Sequence, residues 1–317
     1  MLIPSSVRFW LYLIPFVPSL ISTVFGLYRL QLTRTFGIAP KNHDRFLLLT
    51  CVLIGELSDV PWHIHYYYTG TVLSATPAFC VIWAFMSSTT SVSISILIAW
   101  TSIERHIATF YPEWLATNTK RFFFHYVPLS TCIFYPFGVY SIFFFTLPCD
   151  VPFNYDDRLC NRSECLFRSQ SIALLDSITH YLLPVCVTVI STVGLLARIV
   201  YYRYRTYDRV EWEKYKKIAV QLLPISISYI ILQLPPMVLY TAYSTGLSRD
   251  IASDYYDSCI YFRYWIILFL PFLYVTPFTL VHKRNRKIVI LWERRCAVDP
   301  VIINITPPAN FLTTRKA

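Results

Sequence analysis

Residues 80–112 read CVIWAFMSSTTSVSISILIAWTSIERHIATFYP, an apolar segment with a cysteine at one end and charged residues at the other. Arg105 follows Cys80 by 25 positions. At about 1.5 Å per residue, a helix of that length covers about 37 Å, which is enough to cross a bilayer and its interfaces. The segment therefore predicts one long membrane-spanning helix, with Cys80 and Arg105 on opposite sides.

The composition of the whole chain is that of a membrane protein. Of its 317 residues, 55% are hydrophobic and 15% are charged, and the mean hydropathy is +0.47, whereas a soluble domain carries about 25% charged residues. Seven apolar stretches are each long enough to cross a bilayer. They lie near 9–28, 46–68, 78–103, 122–146, 171–200, 217–243 and 260–281. We therefore expect an all-α membrane protein built as a seven-transmembrane helix bundle.

Lys and Arg are concentrated in alternate connections between these stretches. The segments 29–45, 104–121, 198–217 and 282–317 hold 22 of the 28 Lys and Arg residues. Because basic loops stay in the cytoplasm, we expect a multi-pass membrane protein with its amino terminus outside and its carboxyl terminus cytoplasmic. The expected location is the plasma membrane. The net charge of +10 then belongs to the cytoplasmic face, where it suits anionic membrane lipid and a protein partner rather than nucleic acid.

The domain organisation predicted from these stretches is one membrane domain followed by a short tail. Residues 1–296 form the domain, and residues 297–317 form a cytoplasmic tail. Within the domain, the basic amphipathic segment 284–295 suits a short eighth helix that lies on the inner leaflet. Cys296, at the end of that helix, is either a palmitoylation site or a plain free thiol.

The inner end of the segment quoted above carries the most specific motif in the chain. Its members are Glu104, Arg105, His106, Ala108 and Pro112, with the alanine and proline three and seven residues after the arginine. With this spacing, the cysteine at the outer end and the seven apolar stretches, the chain resembles a divergent member of the rhodopsin-like (class A) G-protein-coupled receptors. In that family an aromatic residue usually follows the arginine of the motif, and His106 takes that place here.

The resemblance implies roles for these residues in activation. Glu104 would hold Arg105 in a resting ion pair, and the freed guanidinium would then meet a docking helix of a heterotrimeric G protein. Pro235 and Pro277 stand where the family has prolines in its sixth and seventh helices, and they are expected to take part in activation. Around Pro277 only the proline of the family's usual Asn-Pro-x-x-Tyr pattern is present.

The resemblance also implies a disulfide between Cys80 and the loop before the fifth apolar stretch. Cys165 is the favoured partner and Cys160 the alternative, since sequence alone does not fix connectivity. The same loop contains the sequon Asn161-Arg162-Ser163. Asn161 is therefore a candidate glycosylation site on the predicted outer face.

Ionisable residues inside the predicted spans are candidates for a ligand pocket, because charge is costly to bury in a membrane. Glu56, Asp59 and His63 lie on one face of the second span, and Asp176 and His180 are an i,i+4 pair in the fifth. The full candidate set is Glu56, Asp59, His63, Ser87, Asp176, His180 and Arg263. The alternative interpretation of these residues is polar packing in the interior, or exposure at the interface for Asp176 and Arg263.

The resemblance implies a receptor rather than an enzyme. We expect it to bind an extracellular ligand, either a peptide or a small chemosensory molecule, within the helical bundle and to activate a heterotrimeric G protein. The sequence has no phosphate-binding loop, nucleophile motif or metal-ligand spacing, so neither a cofactor nor a metal is predicted. The alternatives are a small transporter or channel that uses Glu56, Asp59 and His63, and a receptor-fold protein that does not signal.

Overall fold

A computed structural model of the chain describes residues 4–32, 40–147, 149, 151–161, 169–205, 223–248 and 250–274. All regular secondary structure in these ranges is helical. The helices are α1 Ser5–Leu32, α2 Pro40–Leu57, α3 Asp59–Thr69, α4 Pro77–Phe110, α5 Asn118–Thr146, α6 Gln170–Tyr201, α7 Leu223–Leu232, α8 Leu234–Ser244, α9 Ser253–Arg263 and α10 over 265–274. A short 3-10 turn occupies Pro112–Leu115, and a tight turn with left-handed residues occupies Arg158–Asn161.

Five of the predicted spans are long apolar helices in the structure. They are α1, the continuous pair α2 and α3, then α4, α5 and α6. A sixth candidate span consists of α7 and α8, which are bent by 41° relative to each other. The predicted span 260–281 overlaps α9 and α10, but these are separated at Tyr264, and residues after 274 lie outside the described ranges. The regular secondary structure of the described residues is thus all helical and suited to a membrane, and the number seven stays a prediction. The inner-leaflet helix 284–295 and the tail 297–317 also lie outside the described residues.

Proline positions explain where two of the spans break. Proline has no backbone N–H, so the carbonyl four residues earlier loses its helical partner. Pro61 lies in the first turn of α3, and the regular helix is interrupted at Ser58, three residues before it. Pro235 and Pro236 stand at the start of α8, directly after the break at Gln233. The bend in the sixth candidate span therefore follows from the sequence Gln-Leu-Pro-Pro.

Two other prolines are preceded by π turns, in which the helix widens to accommodate an extra residue. Ser177–Leu182 lies just before Pro184 in α6, and Phe122–Tyr126 lies just before Pro128 in α5. Each wide turn carries one fully buried histidine, His180 in α6 and His125 in α5. The prolines thus set the local geometry of two polar clusters described below.

α4 lies at the centre of the bundle, where it packs against α2, α5 and α6. Small side chains on its buried face allow the neighbouring helices to approach closely. The small hydroxyl residues on this face are Ser87, Thr90, Ser93, Ser95, Thr101 and Ser102. Thr101 donates to the Leu97 carbonyl at 2.7 Å and Ser102 to the Ile98 carbonyl at 2.9 Å, so these hydroxyls are satisfied within the helix.

The two ends of α4 are surrounded by different sets of residues. Near Cys80, Arg8 of α1 and Arg158, two residues before Cys160, line one cavity; we call this the disulfide end. Near Arg105, residues of α2 and α5 approach the last turns of α4, and we call this the Arg105 end.

The disulfide joins Cys80 to Cys160, with 5.6 Å between the Cα atoms. The favoured pairing with Cys165 is therefore wrong, and the alternative partner is the one present. Leu159, Cys160 and Asn161 have positive φ angles of 58°, 51° and 63°, a left-handed conformation that non-glycine residues seldom adopt. Cys160 is fully buried against Val72, Cys80 and Trp83. This compact turn brings Cys160 to the start of α4, and the spacing of the cysteines does not predict the turn.

The connectivity can be tested by replacing cysteines one at a time. Cys80→Ser and Cys160→Ser are each expected to lower the free energy of unfolding by about 2–4 kcal/mol, because each removes a crosslink that closes a long loop. Cys165→Ser is expected to leave the crosslink between Cys80 and Cys160 in place. Peptide mapping under non-reducing conditions reads the linkage directly, and a peptide joining Cys80 to Cys165 in the unmodified protein would contradict the structure.

Candidate functional site

A cavity with a volume of about 280 Å³ lies at the disulfide end of the molecule. Its lining comes from four separate segments: α1, α3, the loop after α5 and α9. The lining residues are Arg8, Tyr66, Tyr67, Asp157, Arg158, Asn161 and Asp257. None of them belongs to the pocket predicted from the sequence. Arg8 and Arg158 lie outside the four basic segments of the sequence, so the sequence marks them only as isolated basic residues on the predicted outer side.

The two arginines of this cavity rest on aromatic rings. The Arg8 guanidinium carbon is 5.9 Å from the Tyr67 ring centroid and 5.5 Å from that of Tyr261, and Arg158 is 5.9 Å from the Tyr264 centroid. Such contacts stabilise a cation without neutralising it. Neither guanidinium forms an ion pair with a carboxylate in the part of the chain that the structure describes. Both therefore keep their charge available to a ligand.

A network around the Asp59 carboxylate lies in the interior of the bundle. Asp59 Oδ1 accepts a hydrogen bond from Trp83 Nε1 at 2.8 Å, and Oδ2 accepts one from Ser87 Oγ at 3.0 Å. His63 Nδ1 is 3.2 Å from Oδ1 and 2.8 Å from the Asp59 carbonyl oxygen. Ser87 Oγ also lies 3.0 Å from the Tyr264 hydroxyl. The predicted pocket residues Asp59, His63 and Ser87 are thus brought together, but each is at most 2% exposed.

A second predicted pair, Asp176 and His180, forms a separate buried network. Asp176 accepts hydrogen bonds from the hydroxyls of Tyr140 at 2.8 Å and Tyr240 at 3.1 Å. His180 Nδ1 is 2.7 Å from Asp176 Oδ1, and its Nε2 is 2.9 Å from the Tyr135 hydroxyl. This network links α5, α6 and α8, and both carboxylate oxygens have partners.

The remaining two predicted pocket residues lie apart from each other. Glu56 contacts the Ser19 hydroxyl, which is also 2.7 Å from the Leu268 carbonyl oxygen. Arg263 lies over the rings of Tyr181 at 5.1 Å and Tyr264 at 5.5 Å. It lines a small interior cavity of about 20 Å³, which has room for about one water molecule. The candidate set therefore divides into separate interior contacts, and none of its members lines the large cavity.

The Arg105 end differs from the arrangement that the motif implies. Glu104 Oε1 is 2.6 Å from His125 Nδ1, and within the described residues Glu104 forms no ion pair with Arg105. Arg105 is half-buried and lies close enough to Asp44 and Tyr274 to interact electrostatically with both. The expected resting pair is thus replaced by an acid–imidazole contact between α4 and α5. A histidine 21 positions away on another helix gives no signal in the motif.

The other residues of the motif occupy the last turn of α4 and the turn after it. The His106 ring is 5.2 Å from that of Phe110, Ala108 is exposed, and Pro112 begins a 3-10 turn. Arg198 of α6 donates two hydrogen bonds of 3.2 Å to the Tyr111 hydroxyl. Pro277 and Cys296 lie outside the described residues.

Asn161 is part of the cavity wall and is half-buried. The other two residues of its sequon, at 162 and 163, lie outside the described ranges. Glycosylation of Asn161 therefore stays a prediction.

No protein-family model matches this chain, and no curated protein sequence does.

Replacing Asp59 tests how strongly its network stabilises the bundle. Asp59→Ala leaves the buried Trp83 N–H without its acceptor, and it removes the carboxylate contacts of Ser87 and His63. We therefore expect the free energy of unfolding to fall by about 3 kcal/mol. The matched substitution Asp156→Ala, at an exposed loop position, is expected to change it by less than about 0.5 kcal/mol. Unfolding in mixed micelles measures both changes in free energy. Equal changes for the two variants would show that the Asp59 network does not stabilise the bundle.

Proposed function

We propose that the protein is a rhodopsin-like membrane receptor that binds an extracellular ligand at the disulfide end and activates a heterotrimeric G protein at the Arg105 end. The observation that supports this most directly is the convergence of four separate segments on the cavity of about 280 Å³. A ligand that contacts all four favours the arrangement in which they fit it best. The resulting shift between resting and active states equals its difference in affinity for the two.

The cavity walls suggest what kind of ligand fits. Arg8 and Arg158 supply two positive charges, while Asp157 and Asp257 supply two negative ones. Tyr66 and its neighbour Tyr67 add aromatic surface beside them. A molecule that carries both charges, such as the end of a peptide or a small zwitterion, matches this lining better than an apolar odorant does. This narrows the expected ligand to the polar members of the peptide and small chemosensory classes.

A chain of contacts connects the cavity with α4. Arg158 in the cavity wall lies over the Tyr264 ring, and the Tyr264 hydroxyl is 3.0 Å from Ser87 Oγ. Ser87 belongs to α4, whose other end carries Arg105. A ligand that draws the Arg158 guanidinium toward itself would therefore alter the packing of Tyr264 against α4. This gives the ligand a physical route to the central helix.

The Arg105 end has the charge that a cytoplasmic partner requires. Arg105 is half-buried and free of an ion pair with Glu104 among the described residues. The flanking segments 29–45 and 198–217 are rich in Lys and Arg. In the proposed orientation these face the cytoplasm, where Arg105 would meet backbone carbonyls of the docked partner. By reciprocity, a bound G protein would tighten ligand binding.

The transporter alternative has less support from the contacts. A proton relay through Glu56, Asp59 and His63 needs groups that can exchange partners. Glu56 contacts Ser19, whereas Asp59 and His63 contact each other. The three side chains are therefore committed to two separate sets of contacts.

Basal nucleotide exchange on a panel of G proteins tests the proposed coupling. Wild-type protein is expected to accelerate exchange on at least one G protein, and Arg105→Ala is expected to abolish that acceleration at matched surface expression. Lys120→Ala removes an exposed cation at the same end and is expected to retain it, so it controls for a general loss of positive charge. Equal exchange with wild type and Arg105→Ala, or no exchange with wild type on any G protein, would contradict the proposal.

A further inference from the structure

Three ionisable side chains from three helices meet at the Arg105 end. Asp44 comes from α2, Glu104 from α4 and His125 from the π turn of α5. Asp44 and Glu104 are each 3% exposed and His125 is fully buried. One potential ligand atom from each lies within 4.8 Å of the others. This cluster could not be predicted from the sequence, because its members are far apart in the chain and share no motif.

Two oxygen atoms of this cluster lack partners. Asp44 Oδ1 and Glu104 Oε2 are both buried and accept no hydrogen bond from the described part of the chain. A buried carboxylate oxygen without a donor costs free energy unless a cation or a proton reaches it. Asp44 Oδ1 is 3.7 Å from His125 Nδ1, too far for a hydrogen bond. These atoms therefore point to a missing positive partner among the three side chains.

The set of donors matches a particular class of ion. Two carboxylate oxygens and one imidazole nitrogen are common ligands of Zn²⁺ and related first-row divalent ions, whereas Ca²⁺ and Mg²⁺ favour oxygen alone. The second ring nitrogen of His125, Nε2, lies 3.3 Å from His43 Nδ1. A hydrogen bond at that second nitrogen fixes the ring and leaves Nδ1 to the ion.

The ion requires a small adjustment of the ligands. Around a tetrahedral ion with bonds of about 2.0–2.1 Å, two ligand atoms stand about 3.3 Å apart. Glu104 Oε1 and His125 Nδ1 are 2.6 Å apart, so the carboxylate must withdraw by about 0.7 Å or present its unpartnered Oε2 instead. Either change is a side-chain rotation of Glu104.

We propose that Asp44, Glu104 and His125 form a binding site for a divalent transition-metal ion, with Zn²⁺ as its best-matched member. The site does not depend on the proposed receptor function. The metal site nevertheless lies beside the proposed G-protein coupling residue, because Arg105 interacts electrostatically with Asp44. An ion bound to Asp44 neutralises that carboxylate and weakens its hold on Arg105.

Metal binding can be tested on the purified full-length chain. After treatment with a chelator, the protein is titrated with ZnCl₂ while thermal unfolding and bound zinc per chain are measured. Wild type is expected to bind one ion per chain and to unfold at a higher temperature with zinc, because an ion that binds only the folded state stabilises it. Asp44→Asn, Glu104→Gln and His125→Gln are each expected to lower the zinc affinity at least tenfold, since loss even of outer-sphere partners costs about 10–100-fold.

Asp176→Asn is the matched control. It alters another buried Asp–His contact, but that carboxylate already accepts two tyrosine hydroxyls. It is expected to keep the zinc-induced shift, measured against its own metal-free form so that a change in basal stability does not matter. If one ligand variant fails to fold, the other two carry the test. Absence of bound zinc in wild type, or zinc affinity in the ligand variants equal to that of wild type, would overturn the proposal.

Discussion

The arrangement of the disulfide end depends on the contacts that the Asp59 carboxylate makes with Trp83, Ser87 and His63. In a bilayer, a buried charge and its polar neighbours must satisfy one another, because no solvent is available to do so. Asp59 takes hydrogen bonds from Trp83 and Ser87 of α4 and is held by His63. The helix break at Ser58 allows α3 to start at Asp59. The register of α3 against α4 is therefore set by a polar contact rather than by apolar packing, which alone distinguishes poorly between registers.

α4 then relates the two ends of the molecule. At one end its Cys80 is tied to Cys160 and its Ser87 reaches Tyr264. At the other, Glu104 meets His125 while Arg105 remains half-buried. A rigid helix of 34 residues carries a displacement at one end to the other. In the receptor that we propose, this helix is the element that ligand and partner both bias.

Features that depend on neighbouring residues could be predicted from the sequence, whereas features that depend on residues far apart in the chain could not. The apolar stretches located α1, the pair α2 and α3, α4, α5 and α6 well, because hydropathy is a local property. The choice of Cys160 over Cys165 depends on a left-handed turn at 159–161, which ordinary residues do not signal. The Glu104 contact with His125, and the cavity lined by Arg8 and Arg158, are each formed by residues that are far apart in the chain. A motif read along one helix cannot show which side chain approaches it from another.

In the receptor that we propose, the disulfide end and the Arg105 end lie on opposite sides of a membrane. Cysteine labelling in intact cells tests this topology. Thr245→Cys and Glu113→Cys introduce one thiol at an exposed position at each end, with the wild-type chain as background. A membrane-impermeant maleimide is expected to label the cysteine at 245 in intact cells, and the cysteine at 113 only after permeabilisation. Labelling of both in intact cells, or of the cysteine at 113 alone, would contradict the account.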